Sequence, residues 1–241
     1  MMASQGARRS GLVWAIVGAV VLLGGVVAIV IASIGTRVTP DPTRSASSSR
    51  SLAPSPSHSA AVDPGAIEKG WIAEPITPDP STYITAALEA AGTFDTTKSS
   101  RDQWLAYLDT WFTPDTRYTK SADQQAAMQR SKLELRQGVV LPESDWESLA
   151  SEDGRVATTL TGSIIFVPVT EDPSGDMRIG TADVTLKYTR SDGSGGETSY
   201  EDHARVSVQV LCGPGSVPTP DSAQRAGDCK VVRYFTQAME P

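Results

Sequence analysis

The chain has 241 residues, 39% of them hydrophobic, and a formal net charge of −7. The charge is uneven: residues 1–63 carry +3 and residues 64–241 carry −10, and an acidic surface of that kind excludes nucleic acid as its direct partner. Asparagine is absent and Arg outnumbers Lys 15 to 6, which rules out Asn-linked glycosylation and points to a high-GC bacterial gene.

A ten-residue tail, 1–10, carries Arg8 and Arg9 and no acid. Residues 11–35 then run without a charged side chain and with one hydroxyl, Ser33. As a helix they would extend roughly 37 Å, enough to cross a hydrocarbon core of about 30 Å with some tilt. The stretch is longer than the apolar region of a secretory signal, although Val30-Ile31-Ala32 would serve as a cleavage site in that alternative. Arginines flank the span on both sides, so positive charge does not set its direction. The short tail and the long following domain favour an N-terminus in the cytoplasm and a C-terminal domain outside the cell membrane. The lipid bilayer is thus an expected partner through residues 11–35.

Residues 36–78 read as linker. Proline alternates with a Ser-rich run, and no apolar period is present to bury surface against the ordering entropy. The composition suits a spacer or an O-glycosylated stalk, and His58 within it is expected to be solvated. Trp71, Ile72 and Ile76 mark where the chain first docks onto a domain expected over residues 79–241.

Helical signals come next. Asp79-Pro80 offers an N-cap before Ile84, Ala87, Leu88 and Ala91, with Gly92 as the stop. Ser100 and Gln103 form a capping box before Trp104, Leu105, Leu108, Trp111 and Phe112, up to Pro114. Ser121 with Gln124 starts a third helix to Gly138, and Ser144 with Glu147 a short fourth turn. Trp104, Trp111 and Trp146 are read as core or pocket aromatics, since helical spacing favours core over a ligand cage.

Strand signals close the chain. Residues 156–169 lose strict alternation at IIFVPV, implying burial on both faces or a bend at Pro168. Ala182, Val184, Leu186 and Tyr188 alternate with polar residues, as do Ala204, Val206, Val208 and Val210, with a Gly-rich turn at 191–197 between them. Residues 230–236 make a fourth strand. Helices followed by an antiparallel sheet define an α+β class, with helices packed on a four-stranded sheet.

Cys212 ends the third of these strands and Cys229 precedes the fourth, so a disulfide is expected at the base of their loop. Two buried free thiols are the alternative; a zinc site lacks two further ligands. No catalytic constellation emerges. Asp202 and His203 are neighbours on a strand and point to opposite faces, none of the common nucleophile, metalloprotease or phosphate-loop motifs occurs, and the acids at 143–153 lack calcium-loop spacing. No catalytic, cofactor-binding or metal-ligating residue is expected.

The order of tail, span, linker, helices with the run Trp104-Leu105-Tyr107-Leu108-Trp111-Phe112-Thr113-Pro114-Asp115, and a four-strand antiparallel block resembles bitopic proteins with a cone-shaped domain of the nuclear-transport-factor-2-like type. It is most similar to actinobacterial and Gram-positive conjugation proteins, counterparts of the inner-membrane assembly subunit of type IV secretion systems. That resemblance implies a single-pass, non-enzymatic interaction or scaffold domain with protein partners or a homo-oligomer in the envelope, and no cofactor. The alternative is a small-ligand-binding or enzymatic use of the cone pocket.

Overall fold

The structure, a computed structural model, describes residues 61–240. The expected tail and span at 1–35, linker residues 36–60 and His58 lie outside the described residues, and none of the described helices is long and apolar enough to cross a membrane.

Residues 61–78, expected as the end of the linker with docking at Trp71, Ile72 and Ile76, are packed onto the domain, Trp71 and Ile72 against its core, and the packing begins already at Ala61. Ala61 bridges to Pro75, and the Val62 N–H donates to the Glu74 carbonyl at 2.9 Å. Between them lies a 3-10 turn, Pro64–Lys69, whose cap Asp63 accepts from the Gly65 N–H at 2.9 Å. Gly70 ends it at φ +77°, where a side chain is disfavoured and an added Cβ would lie 2.5 Å from the Asp95 Cβ. Trp71 then buries its ring against Tyr107, with centroids 4.9 Å apart, and its Nε1 donates to Ser99 Oγ. Pro64, which read as linker, here occupies the first position of the 3-10 turn, a role proline also favours.

Helix α1, Pro80–Ala90, begins as its sequence dictates, with Asp79 accepting from the Thr82 N–H at 2.8 Å. Helix α2, Arg101–Asp109, carries the expected capping box, with both bonds present at 3.2 and 3.0 Å. The third helix has the expected bounds but a different cap, and the fourth starts one residue early. Helix α3, Ser121–Gly138, is preceded by Lys120 at the cap, and the Gln124 amide donates to the Tyr118 carbonyl rather than to a Ser121 box. Helix α4, Glu143–Ala150, follows Pro142, so Ser144 already lies inside the first turn.

The sheet is curled and antiparallel throughout, in the order β1-β2-β3-β4-β5: Phe94–Asp95, Arg155–Val167, Met177–Ser191, Glu197–Leu211 and Lys230–Phe235. It has five strands rather than four. The added β1 is two residues long, too short to show a period, and it pairs with the start of β2. At IIFVPV the expected double burial is absent: the register shifts between Thr161 and Ile165, Ile165 and Phe166 are exposed, and the strand stops before Pro168. The opposite holds in β4, where Ser207 and Gln209, placed on the wet face by alternation, are buried. A second small apolar cluster of Met177, Leu211 and Val232, with the C-terminal Met239 bonded to Thr181 and Ser207, covers that side of the sheet.

Helix α1 lies across β2, β3 and β4, and α3 lies along β5. The main core forms between them.

Candidate functional site

Two features lie within this core. The first is a cavity of about 340 Å³ between the end of α1, the turn from α3 to α4, and the sheet. Its walls are apolar, with Leu88, Val140, Val184 and Val206 among them. Thr158 Oγ1 is buried there without a partner, and the Tyr234 hydroxyl donates to the Ala87 carbonyl at 2.9 Å. Burial pushes the Tyr234 phenol far above its ordinary value, so it holds its proton. No Asp, Glu, His, Lys or Arg lines this cavity, and its only ionisable side chains are the phenols of Tyr188 and Tyr234, which leaves it shaped for a largely apolar occupant.

The second feature is a closed polar network where residues 61–78 meet α1, the end of α2 and the start of β5. Glu74 is 0% exposed and Lys230 1%. Lys230 Nζ donates at 2.7 Å to Glu74 Oε1, to the Thr110 carbonyl and to Thr219 Oγ1, and lies 3.4 Å from Gln224 Oε1. Glu74 Oε1 also accepts from the Tyr83 hydroxyl at 2.6 Å and from Gln224 Nε2 at 3.1 Å. Its other oxygen, Oε2, is buried without a partner. The Glu74 N–H donates to the Tyr107 hydroxyl, which donates onward to the Ile72 carbonyl. Desolvation pushes the Lys230 amine down, against the opposing pull of Glu74, and pushes the Tyr83 phenol well up. Five segments meet at these contacts: residues 61–78, α1, the end of α2, the β4–β5 loop and β5.

Sequence reasoning did not single out Glu74, Gln224 or Lys230. Two signals were present. Glu74 is a lone charge in the apolar run WIAEPI, and Lys230 heads the strand KVVRYF in phase with Val232 and Tyr234, which are buried.

The residues singled out in the sequence are placed as follows. Trp104 and Trp146 stack 5.5 Å apart with Phe94 against both, and Trp111 packs on Tyr83; all three tryptophans are buried in the core and none lines the cavity. Cys212 and Cys229 are joined in a disulfide with Cα atoms 4.0 Å apart, which closes the β4–β5 loop just before Lys230. His203 is exposed and its Nδ1 meets Thr185 Oγ1 at 3.0 Å; Asp202 bonds the His203 backbone rather than the ring, so the two form no dyad. Among the described residues no cluster of acids, His and Cys has the shape of a metal site.

No family model and no curated protein sequence matches the chain. Among solved structures the chain is similar to an IcmL-like type IV secretion system protein from Legionella pneumophila, at 14% identity and a TM-score of 0.39 over 68% of this chain and 96% of that one. It is similar also to CagV, a VirB8 homolog of a type IV secretion system from Helicobacter pylori, at 15% identity and a TM-score of 0.35 over 65% and 92%.

Proposed function

We propose that the chain is a single-pass membrane protein whose domain lies outside the cell membrane and acts as a non-enzymatic interaction or scaffold subunit of an envelope apparatus. The observation that carries this reading is the Cys212–Cys229 bond. Disulfides persist in oxidising compartments and are rare in the cytosol, so the bond supports a domain held on the outer side of the span expected at residues 11–35. The apolar cavity, lined by no carboxylate, imidazole or amine, favours contact over turnover. The element order described above supplies conjugation or type IV secretion as the setting. Partners are then envelope proteins or further copies of the chain, with the bilayer holding residues 11–35.

The test is crosslinking in the native host followed by mass spectrometry, with the full-length chain and a version lacking residues 11–35. Recovery of secretion or envelope subunits with the full-length chain alone is the expected result; recovery of the same proteins with both versions would sink the anchored reading.

One observation favours a second reading. The cavity of about 340 Å³ contains a buried hydroxyl, Thr158 Oγ1, with nothing to bond, as a site for a small apolar ligand with one polar atom would. Native mass spectrometry of the detergent-purified protein that reveals a retained small molecule would favour this reading, and a ligand-free spectrum would remove it.

A further inference from the structure

Glu74, Gln224 and Lys230 form a constellation that an ion pair does not require. A buried pair needs two partners, yet here an amide is held against both of them. Gln224, 7% exposed, turns its amide nitrogen to Glu74 Oε1 at 3.1 Å and its carbonyl oxygen to Lys230 Nζ at 3.4 Å. The Thr219 N–H donates to that same carbonyl oxygen at 2.9 Å. Glu74 Oε1 thus touches both the amine and the amide nitrogen, and a backbone donor already sits on the carbonyl. Tyr83 and Tyr107 screen the group from water.

We propose that Lys230 and Gln224 join in an intramolecular isopeptide bond, formed by the protein on itself, with Glu74 as the acid–base group. In the dry site the Lys230 ammonium passes a proton to Glu74, leaving a neutral amine, a route open to lysines desolvated in apolar surroundings. Nζ attacks the Gln224 Cδ. The carbonyl oxygen takes up the negative charge facing the Thr219 N–H, the role of an oxyanion donor. Glu74 gives its proton to Nε2 and takes one from Nζ. The Cδ–Nε2 bond breaks, the Nζ–Cδ bond stays, and ammonia leaves. Amine plus primary amide become secondary amide plus ammonia, with no oxidant or cofactor required. The positions are held by packing and by the neighbouring Cys212–Cys229 closure rather than assembled by collision, which is where intramolecular reactions gain most. The product would tie the β4–β5 loop to β5 covalently, a second clip beside the disulfide.

The experiment is the intact mass of the full-length chain, extracted from the membrane in detergent, reduced and alkylated. The expected mass is lower than calculated by one ammonia. The chain contains no asparagine, so an asparagine succinimide cannot supply that loss. Trypsin locates the bond. It cuts after Arg225, and the peptides 206–225 and 226–233 remain joined after reduction only when Gln224 and Lys230 are linked. Lys230→Arg and Glu74→Gln are expected to restore the calculated mass and to release 206–225 from 226–230, trypsin then cutting after residue 230 as well. Wild-type protein at its calculated mass, with the peptides separate, overturns the proposal, and does so even if neither variant folds. A Glu74→Gln protein that retains the link removes Glu74 from the reaction.

Discussion

Glu74 directs one carboxylate oxygen at three donors and leaves the other bare and buried. That imbalance makes the site sensitive to loss of its cation. Removing one partner of a buried pair leaves an uncompensated charge and costs about 3–5 kcal/mol. Measured against chains in which Gln224 and Lys230 are unlinked and the amine is still the cation of the pair, Lys230→Met is therefore expected to lower the denaturant midpoint sharply. Glu74→Leu combined with Lys230→Met should cost less than Lys230→Met alone, because replacement of both charges removes the stranded carboxylate; a double variant less stable than the single one would contradict this. The tyrosines around the network set the behaviour at high pH. Burial raises Tyr83, Tyr107 and Tyr234 above their ordinary value near 10. The folded state then holds protons that the unfolded chain releases, so stability is intact below about pH 10 and falls as the pH rises beyond it. Where it is unlinked, Lys230, pushed down by burial, has the opposite slope as the pH rises toward 10.5, but it is one group against three. Denaturant midpoints measured from about pH 8 to about pH 11 should fall at the upper end. A flat profile would show that the phenols ionise in the folded protein.

At the scale of elements, short-range signals gave the most. Ser100→Ala removes one half of a complete capping box and is expected to cost about 1 kcal/mol, read as a lowered melting temperature. Gly70→Ala is expected to cost more, because it meets both the left-handed backbone at φ +77° and the Asp95 Cβ at 2.5 Å; a loss smaller than that of Ser100→Ala would refute the tight approach. These caps were legible because their partners lie three residues away. Ser-x-x-Gln placed the start of α3 at Ser121 correctly and Ser-x-x-Glu missed that of α4 by one residue, but neither makes a capping box: Lys120 and Pro142 hold the cap positions without a side-chain bond. Alternation located the apolar face of β3 at Ala182 and Val184 but hid its buried Thr181 and Thr189, as it hid Ser207 and Gln209 in β4, since burial of Thr181, Ser207 and Gln209 depends on the distant Met177 and the C-terminal tail. The polar network was least legible of all. Glu74 and Lys230 stand 156 residues apart, and no local period links them.

For the whole molecule, the proposal to be tested is that the domain folds outside a membrane. The Cys212–Cys229 bond has a sequence separation of 17, and closing a loop of that size restricts the unfolded chain by about 3 kcal/mol in the entropy model. Such a bond is maintained where no reducing pool opposes it. With both native cysteines engaged, a single added thiol reports topology without interference. Ser194 lies at the exposed tip of the β3–β4 turn, where Asp192 caps the loop through its own carboxylate. Ser194→Cys leaves those strands paired and places a free thiol far from the core. A membrane-impermeant maleimide applied to intact cells is expected to label this variant in full, with no labelling of the parent chain. Labelling only after lysis would place the domain inside, and the disulfide would then lose the compartment that sustains it. Labelling without lysis, together with release of the protein by detergent but not by high salt, would fix the span, its direction and the domain's compartment in one preparation.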